Sequence, residues 1–326
     1  MYALMIFRKI VIHILAAIII ILLGFTCKKS VNKSPEQVQQ DSVKTILGVY
    51  VGNTPSDVAV FESWLGRPVD GVLGYTGHAS WQDYDGSVPW AAGIWKEIDR
   101  KILWSVPLIP EGASLEAAAT GAYNSHYLKA AAELEKFRKQ ESVLYIRTAW
   151  EFNGDWFPWS AIGKAQYFIN AWRHFVDSFR SVSVRFRFDW CPNFGDSGMD
   201  PEEAYPGDEY VDIIGMDIYD ETIWCKIEDP AARWNYNLQE PYGLNWHRNF
   251  AAAHHKPMSY PEWGVGGNGS GDNPYFIEKM HEWFKINKVV YQTYWNSNSG
   301  YPGKLSDNQY PNTAVKYREV FGSDEP

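Results

Sequence analysis

Short strand-like segments alternate with helix-length amphipathic segments along most of this chain of 326 residues. The strand-like segments are rich in β-branched and aromatic residues, and each leads into a stretch in which apolar residues recur at helical spacing. This alternation favours an α/β fold in which parallel strands are joined by helices. We predict strands near residues 44–51, 69–75, 101–108, 143–150, 185–191, 210–218, 256–262 and 289–295.

Eight such units in about 280 residues have the size and rhythm of a single (β/α)8 TIM barrel. One predicted helix follows the cap and proline of Thr54-Pro55, and another covers 164–179, where Phe168, Trp172, Phe175 and Phe179 share one side. Further helices are predicted over 124–140, 275–286 and 313–321. The alternative is an open doubly wound sheet. No glycine-rich phosphate loop follows the first strand, which argues against the dinucleotide-binding form of that sheet.

Two glutamates end predicted strands and lie in tryptophan-rich surroundings. Glu151 ends the fourth strand and Glu262 ends the seventh, so a barrel would place both on its catalytic face. Paired carboxylates among aromatic rings are typical of glycoside hydrolysis, because one acts as acid and base, the other as nucleophile, and the rings stack on sugars. The alternative is that either carboxylate is a solvated loop group or part of a structural ion pair.

Other candidates lie on or just after the same strands. Arg147 precedes Glu151 by four residues, and the two-residue period of a strand predicts that both point to one face. Arg147 would either keep a carboxylate ionised or form a salt bridge inside the barrel. The remaining candidate substrate-binding residues are Tyr75, His78, Trp150, Asn153, Trp156, Trp159, Trp190, Asn193, Asp217, Tyr219, Trp263 and Trp295. For any single tryptophan, core packing is the alternative. Trp95 is predicted to be core, whereas Trp81 and Trp90 are ambiguous.

The first residues predict a targeting segment. Arg8 and Lys9 precede an apolar run over 10–24, which suits a signal peptide, and Cys27 follows in a lipobox-like position. The alternative is an uncleaved membrane anchor. We therefore divide the chain into a signal peptide with its acylated cysteine (1–27), a flexible tether (28–43) and a catalytic domain (44–326). The expected location is outside the cytoplasm, on a membrane facing the periplasm or the cell exterior.

Composition limits the possible partners. The net charge of −9, without a basic run, argues against nucleic acid. Beyond Cys27 only Cys191 and Cys225 remain, so either one bridge or two free thiols are possible, and their surroundings predict no zinc site. No metal or organic cofactor is expected. A monomer is the default expectation.

These residues together resemble glycoside hydrolase family 26, a family of retaining (β/α)8 endo-enzymes that act chiefly on β-mannans, with β-glucanase and β-xylanase members. The resemblance rests on the segments 147–159, 205–215 with Asp217-Ile218-Tyr219, Pro261-Glu262-Trp263-Gly264 and Tyr294-Trp295-Asn296.

The resemblance implies that Glu151 is the acid/base and Glu262 the nucleophile, that Tyr219 supports the nucleophile, and that Trp295 is a sugar platform. The chain departs from the family at Trp150, where a histidine is usual, and this weakens a mannanase assignment. The predicted function is a retaining endo-β-glycosidase acting on a β-mannan or β-glucan. The alternative is a catalytically silent, membrane-anchored glycan-binding protein.

Overall fold

A computed structural model describes residues 44–267 and 269–323. Parallel strands form a closed barrel at the centre of this part of the chain. The strands follow one another around the barrel, and the pairing of β6 with β8 closes it. This closure confirms the predicted (β/α)8 barrel and excludes the open sheet. The strands are β1 (Ile46–Tyr50), β2 (Gly71–Tyr75), β3 (Lys101–Ser105), β4 (Leu144–Thr148), β5 (Phe186–Trp190), β6 (Ile213–Gly215), β7 (Ile218–Tyr219), β8 (Met258–Gly264) and β9 (Val289–Trp295).

Helices surround the barrel and cover its outer face. They are α1 (Pro55–Leu65), α2 (Trp81–Trp95), α3 (Leu115–Ala118), α4 (Asn124–Lys136), α5 (Ala165–Val182), α6 (Thr222–Cys225), α7 (Pro230–Gln239), α8 (Leu244–Ala253), α9 (Pro274–Ile286) and α10 (Pro311–Phe321), with a 3-10 turn at Pro201–Ala204. Within the described part of the chain, no helix combines the length and apolarity needed to cross a membrane. The predicted signal peptide, Cys27 and tether lie outside the described residues.

The sixth strand differs from the prediction of one continuous strand over 210–218. It consists of two short strands, β6 and β7, which both pair with β8 in parallel. Gly215 pairs with Ser259 and Ile218 with Trp263, so β8 contains one more residue than its neighbour over the same span. The pairing of β8 with β9 also shifts between Tyr260 and Trp263. Such a bulge redirects side chains, and here it surrounds Pro261 and Glu262.

The hydrophobic core lies mainly between the strands and the helices. Helix α5 buries the predicted stripe of Phe168, Trp172, Phe175 and Phe179, which confirms the predicted face of that helix. Trp95 is fully buried as predicted, whereas Trp81 stacks on His126 with ring centroids 4.0 Å apart. The two described cysteines are free thiols, with Cys191 buried and Cys225 half-buried.

Candidate active site

Three charged groups meet inside the barrel, near the C-terminal ends of its strands. Arg147 on β4 contacts both Asp217, between β6 and β7, and Glu262 on β8. All three side chains are buried, and Glu262 is 8% exposed. A buried charge is stable only when it is paired and hydrogen-bonded, so this cluster depends on all of its members.

Glu262 accepts hydrogen bonds from three side chains. Arg147 Nη2 donates to Oε1 over 2.6 Å, and the Tyr75 hydroxyl donates to the same oxygen. The Tyr219 hydroxyl donates to Oε2 over 3.0 Å. Burial, and then the charge of Glu262, keep the pKa of Tyr219 well above its ordinary value, so its proton stays in place. Donors on both oxygens stabilise the carboxylate anion.

Asp217 holds the Arg147 side chain in position. Arg147 Nη1 donates to both Asp217 oxygens, at 2.9 and 2.7 Å, and Arg147 Nε donates to Ser105 Oγ at 3.0 Å. The backbone N–H of Glu262 donates to Asp217 Oδ1 over 2.9 Å. Asp217 therefore fixes both the guanidinium and the backbone of Glu262, and it does so from a buried position that a sugar does not reach.

Glu151 lies in a different environment. Its only side-chain donor among the described residues is Trp156, whose Nε1 donates to Oε2 over 2.6 Å. Burial raises the pKa of Glu151 from about 4.5 to about 8, the neighbouring charge of Glu262 adds to the rise, and the Trp156 hydrogen bond partly opposes it. Glu151 therefore keeps its proton at neutral pH, as a general acid must.

The backbone that presents Glu151 is irregular. Strand β4 ends at Thr148, two residues earlier than predicted, and both Ala149 and Glu151 have positive φ angles, of 48° and 55°. The two-residue alternation therefore does not extend to Glu151, which corrects the predicted shared face with Arg147. Left-handed backbone in non-glycine residues costs on the order of 1 kcal/mol or more each and is found often at active sites. The Glu151 N–H donates to the Cys191 carbonyl over 2.8 Å, which holds the turn.

Aromatic rings form one wall of the site. Trp295 stacks on Tyr50 with centroids 3.9 Å apart, and Tyr75 meets both rings edge-on. Trp150 packs edge-on against Tyr75 at 5.4 Å and is almost fully buried. Trp295 is 9% exposed, so only part of its ring is available to a ligand. Trp156, at 49% exposed, presents far more surface.

Several predicted substrate-binding residues are buried in the structure. Trp159, Trp190 and Trp263 are fully enclosed and pack among other side chains. Their contact with substrate stays a prediction. The amide of Asn153 bonds to the backbone N–H and carbonyl of Asn193, so it ties two loops together instead of facing a ligand. Trp150 likewise packs behind Tyr75.

The remaining candidates, His78 and Asn193, lie in the loops that follow β2 and β5. The Asn193 amide bonds to Ser197 Oγ over 2.8 Å, and His78 lies edge-on to Phe157 and Trp159. Sequence reasoning missed Tyr50 and Ser105. Each is the last residue of its strand, so the rule that selected Tyr75 at the end of β2 would also have found them. It also missed Tyr301, which packs on Tyr219 with centroids 4.0 Å apart, because that contact comes from a loop.

Residues 44–267 and 269–323 contain no group of three or more His, Cys, Asp or Glu side chains that would hold a metal ion. The chemistry available to the described groups is proton transfer by Glu151 and nucleophilic or electrostatic action by Glu262.

Comparison with known proteins yields related sequences over much of the chain. Endoglucanase H of Acetivibrio thermocellus is 24% identical over 291 residues, which is 85% of this chain and 30% of that protein. A mannan endo-1,4-beta-mannosidase of Bacillus subtilis is 26% identical over 185 residues, covering 53% of this chain and 44% of that protein. The chain spans less than half the length of the curated relatives it matches.

Solved structures share the fold. The catalytic domain of an endo-beta-1,4-mannanase from Bacillus sp. JAMB-750 superposes with a TM-score of 0.63 at 18% identity, covering 86% of this chain and 88% of that one. A beta-mannanase from Bacteroides ovatus gives a TM-score of 0.55 at 16% identity, covering 87% and 89% of the two chains. The sequence model of Glycosyl hydrolase family 26 matches residues 112–298, which is more than half of the 326 residues. This chain therefore belongs to glycosyl hydrolase family 26.

Proposed function

We propose that this chain is a retaining endo-β-glycosidase that hydrolyses a β-mannan or a β-glucan. One observation carries the proposal: two neighbouring carboxyl groups have opposite environments. Glu262 is surrounded by donors that favour its anion, whereas burial raises the pKa of Glu151 to about 8. Such a pair supplies both groups of a double displacement.

In the first step, a Glu262 oxygen attacks the anomeric carbon while Glu151 gives its proton to the glycosidic oxygen. The bond between the anomeric carbon and that oxygen breaks, and a glycosyl ester forms on Glu262. Once the Glu262 charge is consumed, one cause of the raised Glu151 pKa is lost, so Glu151 can act as a base. It then takes a proton from water, which attacks the anomeric carbon and releases Glu262.

Family membership and the relatives support the substrate class. The matched relatives are named as an endoglucanase and as mannan endo-1,4-beta-mannosidases, so both polymers belong in the test. Trp150, in place of the histidine usual in the family, argues against assuming mannan from the family alone.

The test is turnover by the purified full chain on a panel of β-mannans, mixed-linkage β-glucans and β-xylans. We expect wild type to cleave one of these, with β-anomeric sugar appearing first by ¹H NMR because two inversions retain configuration. Glu151→Ala and Glu262→Ala should both lose this activity, whereas Glu133→Ala, which removes an exposed carboxylate of α4, should keep it. Binding without cleavage by wild type would instead establish the silent glycan-binding protein.

We also propose that the protein is an exported lipoprotein and a monomer. Support for export comes from the sequence alone: Arg8 and Lys9, the apolar run over 10–24, and Cys27. Labelling cells with radioactive palmitate should mark wild type and not Cys27→Ser, and the unlabelled variant should leave the membrane fraction. A Cys27→Ser protein that stays in the membrane would point to an uncleaved anchor. Sedimentation equilibrium would test the monomer.

A further inference from the structure

A cavity of about 370 Å³ lies beside the site described above. Its walls are the chain after β1 and β2 on one side and one face of α2 on the other. The α2 residues that line it include Asp83, Ser87 and Trp90, which follow helical spacing. The volume falls within the range of small-ligand pockets. None of these helix residues takes part in the proposed reaction.

Trp90 gives the cavity an open aromatic surface. Its side chain is 53% exposed, although α2 buries Tyr84, Val88, Ala91 and Trp95 on its other side. No aromatic ring among the described residues contacts Trp90. At Gly86, one turn earlier, an added Cβ would meet no atom within 4 Å, so the space beside the ring is empty. An unpaired indole over an open space fits the apolar face of a sugar ring.

Asp83 gives the cavity a fixed hydrogen-bond acceptor. Its Oδ2 accepts from the Ala79 N–H over 2.9 Å, whereas Oδ1 accepts no hydrogen bond from any described residue. A Cβ at Gly77 would lie 2.2 Å from Asp83 Oδ2, so only glycine allows the loop to approach this carboxylate. The lining contains no lysine, arginine or histidine. An acceptor without a cation suits the hydroxyl groups of an uncharged sugar and disfavours an anionic one.

The cavity is connected to the catalytic carboxylate through Tyr75. The Asn53 side chain, which lines the cavity, accepts from the Tyr75 N–H at 3.1 Å and donates to its carbonyl at 2.7 Å. The hydroxyl of the same tyrosine donates to Glu262. Tyr75 therefore borders both the cavity and Glu262.

We propose that this cavity is an additional subsite that binds an uncharged sugar unit of the substrate chain, with Trp90 as the stacking ring and Asp83 as acceptor. The proposal rests on the proposed function, because it takes the polymer cleaved between Glu151 and Glu262 as its ligand. It implies that oligosaccharides long enough to reach the cavity are better substrates than shorter ones.

The test is kcat/KM for neutral oligosaccharides of increasing length from the polymer that wild type cleaves. Trp90→Ala should reduce the ratio of kcat/KM between the longest and the shortest substrate by about three- to tenfold, the range expected for one lost aromatic contact. Trp90→Phe should restore part of the ratio. Ile286→Ala, an exposed apolar side chain at the far end of α9, should leave the ratio unchanged. An unchanged ratio in Trp90→Ala would overturn the proposal.

Binding separates this proposal from the proposed function. Calorimetry with the longest oligosaccharide and the Glu262→Ala protein, with and without Trp90→Ala, needs no turnover. A loss of affinity caused by Trp90→Ala would support the subsite even if wild type cleaves nothing, in which case only the hydrolase proposal fails. Equal affinity in the two proteins would overturn the subsite while leaving hydrolysis intact. Tighter binding of uronic-acid oligosaccharides than of neutral ones would also overturn it.

Discussion

Glu262 and Glu151 have the same side chain but opposite surroundings. Glu262 accepts from one guanidinium and two phenols, whereas Glu151 accepts from a single neutral indole. The first set of donors favours the anion, and burial favours the protonated form of the second group, whose pKa rises to about 8. Neighbouring groups, and not residue type, therefore distinguish these two carboxyl groups.

The backbones that carry the two groups also differ. Glu262 lies in a strand whose bulge, at Pro261, turns the side chain into the donor cluster. Glu151 lies beyond its strand in a turn with positive φ angles, where Trp156 from the same loop reaches it. Glu262, the proposed nucleophile, is therefore held by a barrel strand, and Glu151, the proposed acid, is held by a loop.

The largest effect that would test this comparison is loss of the nucleophile. Glu262→Ala should lower kcat by a factor on the order of 10⁴ or more, as removal of a covalent nucleophile does in other enzymes. Added azide should restore product formation in Glu262→Ala with inverted configuration, and in Glu151→Ala with retained configuration. Product configuration measured by ¹H NMR checks this, and the opposite pairing would exchange the two roles.

A smaller loss should follow from weakening the donor set of Glu262. Tyr219→Phe removes the hydrogen bond to Oε2, and a bond to a charged group contributes about 1.5–3 kcal/mol, so kcat should fall roughly 10- to 150-fold. Steady-state kinetics with an oligosaccharide checks the rate, and circular dichroism checks that the fold is kept. Tyr205→Phe, which removes a hydroxyl bonded to Asp208 outside the cluster, is the control. An equal loss of kcat in both variants would argue against a specific effect.

Stability should respond to Glu151 in a pH-dependent way. The pKa of Glu151 is higher in the native state than in the unfolded chain, so the native state binds more protons between about pH 4.5 and 8 and loses stability as pH rises through that window. Glu151→Gln removes this loss. We expect the variant to match wild type near pH 4.5 and to exceed it at pH 8.5 by a few kcal/mol, with an upper limit of about 5 kcal/mol, measured by urea unfolding. A difference that does not change with pH would contradict the raised pKa.

The smallest effect concerns Trp156. Because its hydrogen bond lowers the Glu151 pKa, Trp156→Phe should move the alkaline limb of the kcat/KM profile to higher pH. The wild-type limb should lie near pH 8, with activity falling as pH rises. A limb that moves to lower pH in the variant would show that Trp156 does not stabilise the Glu151 anion. Trp224→Phe, which changes an exposed tryptophan of α6 that has no such bond, is the control.

Much of the fold was predictable, because the spacing of apolar residues in the sequence distinguishes strands from helices. The broken sixth strand was not, since its break depends on the extra residue in β8, and that pairing cannot be seen in one strand alone. In the site, Glu151, Glu262, Tyr75 and Tyr219 could be identified as candidates because they lie at the ends of predicted strands. The burial of Trp159, Trp190 and Trp263 could not be foreseen, because a tryptophan that faces the core and one that faces a ligand have the same local sequence pattern.

The central claim is that Glu262 forms the covalent bond and Glu151 transfers the proton. Incubation with a 2-deoxy-2-fluoro derivative of the sugar that wild type hydrolyses, followed by mass spectrometry of peptides, tests it directly. We expect one fluorosugar on each protein molecule, located on Glu262. A label on Glu151, or turnover with inverted product and no label, would contradict the assignment.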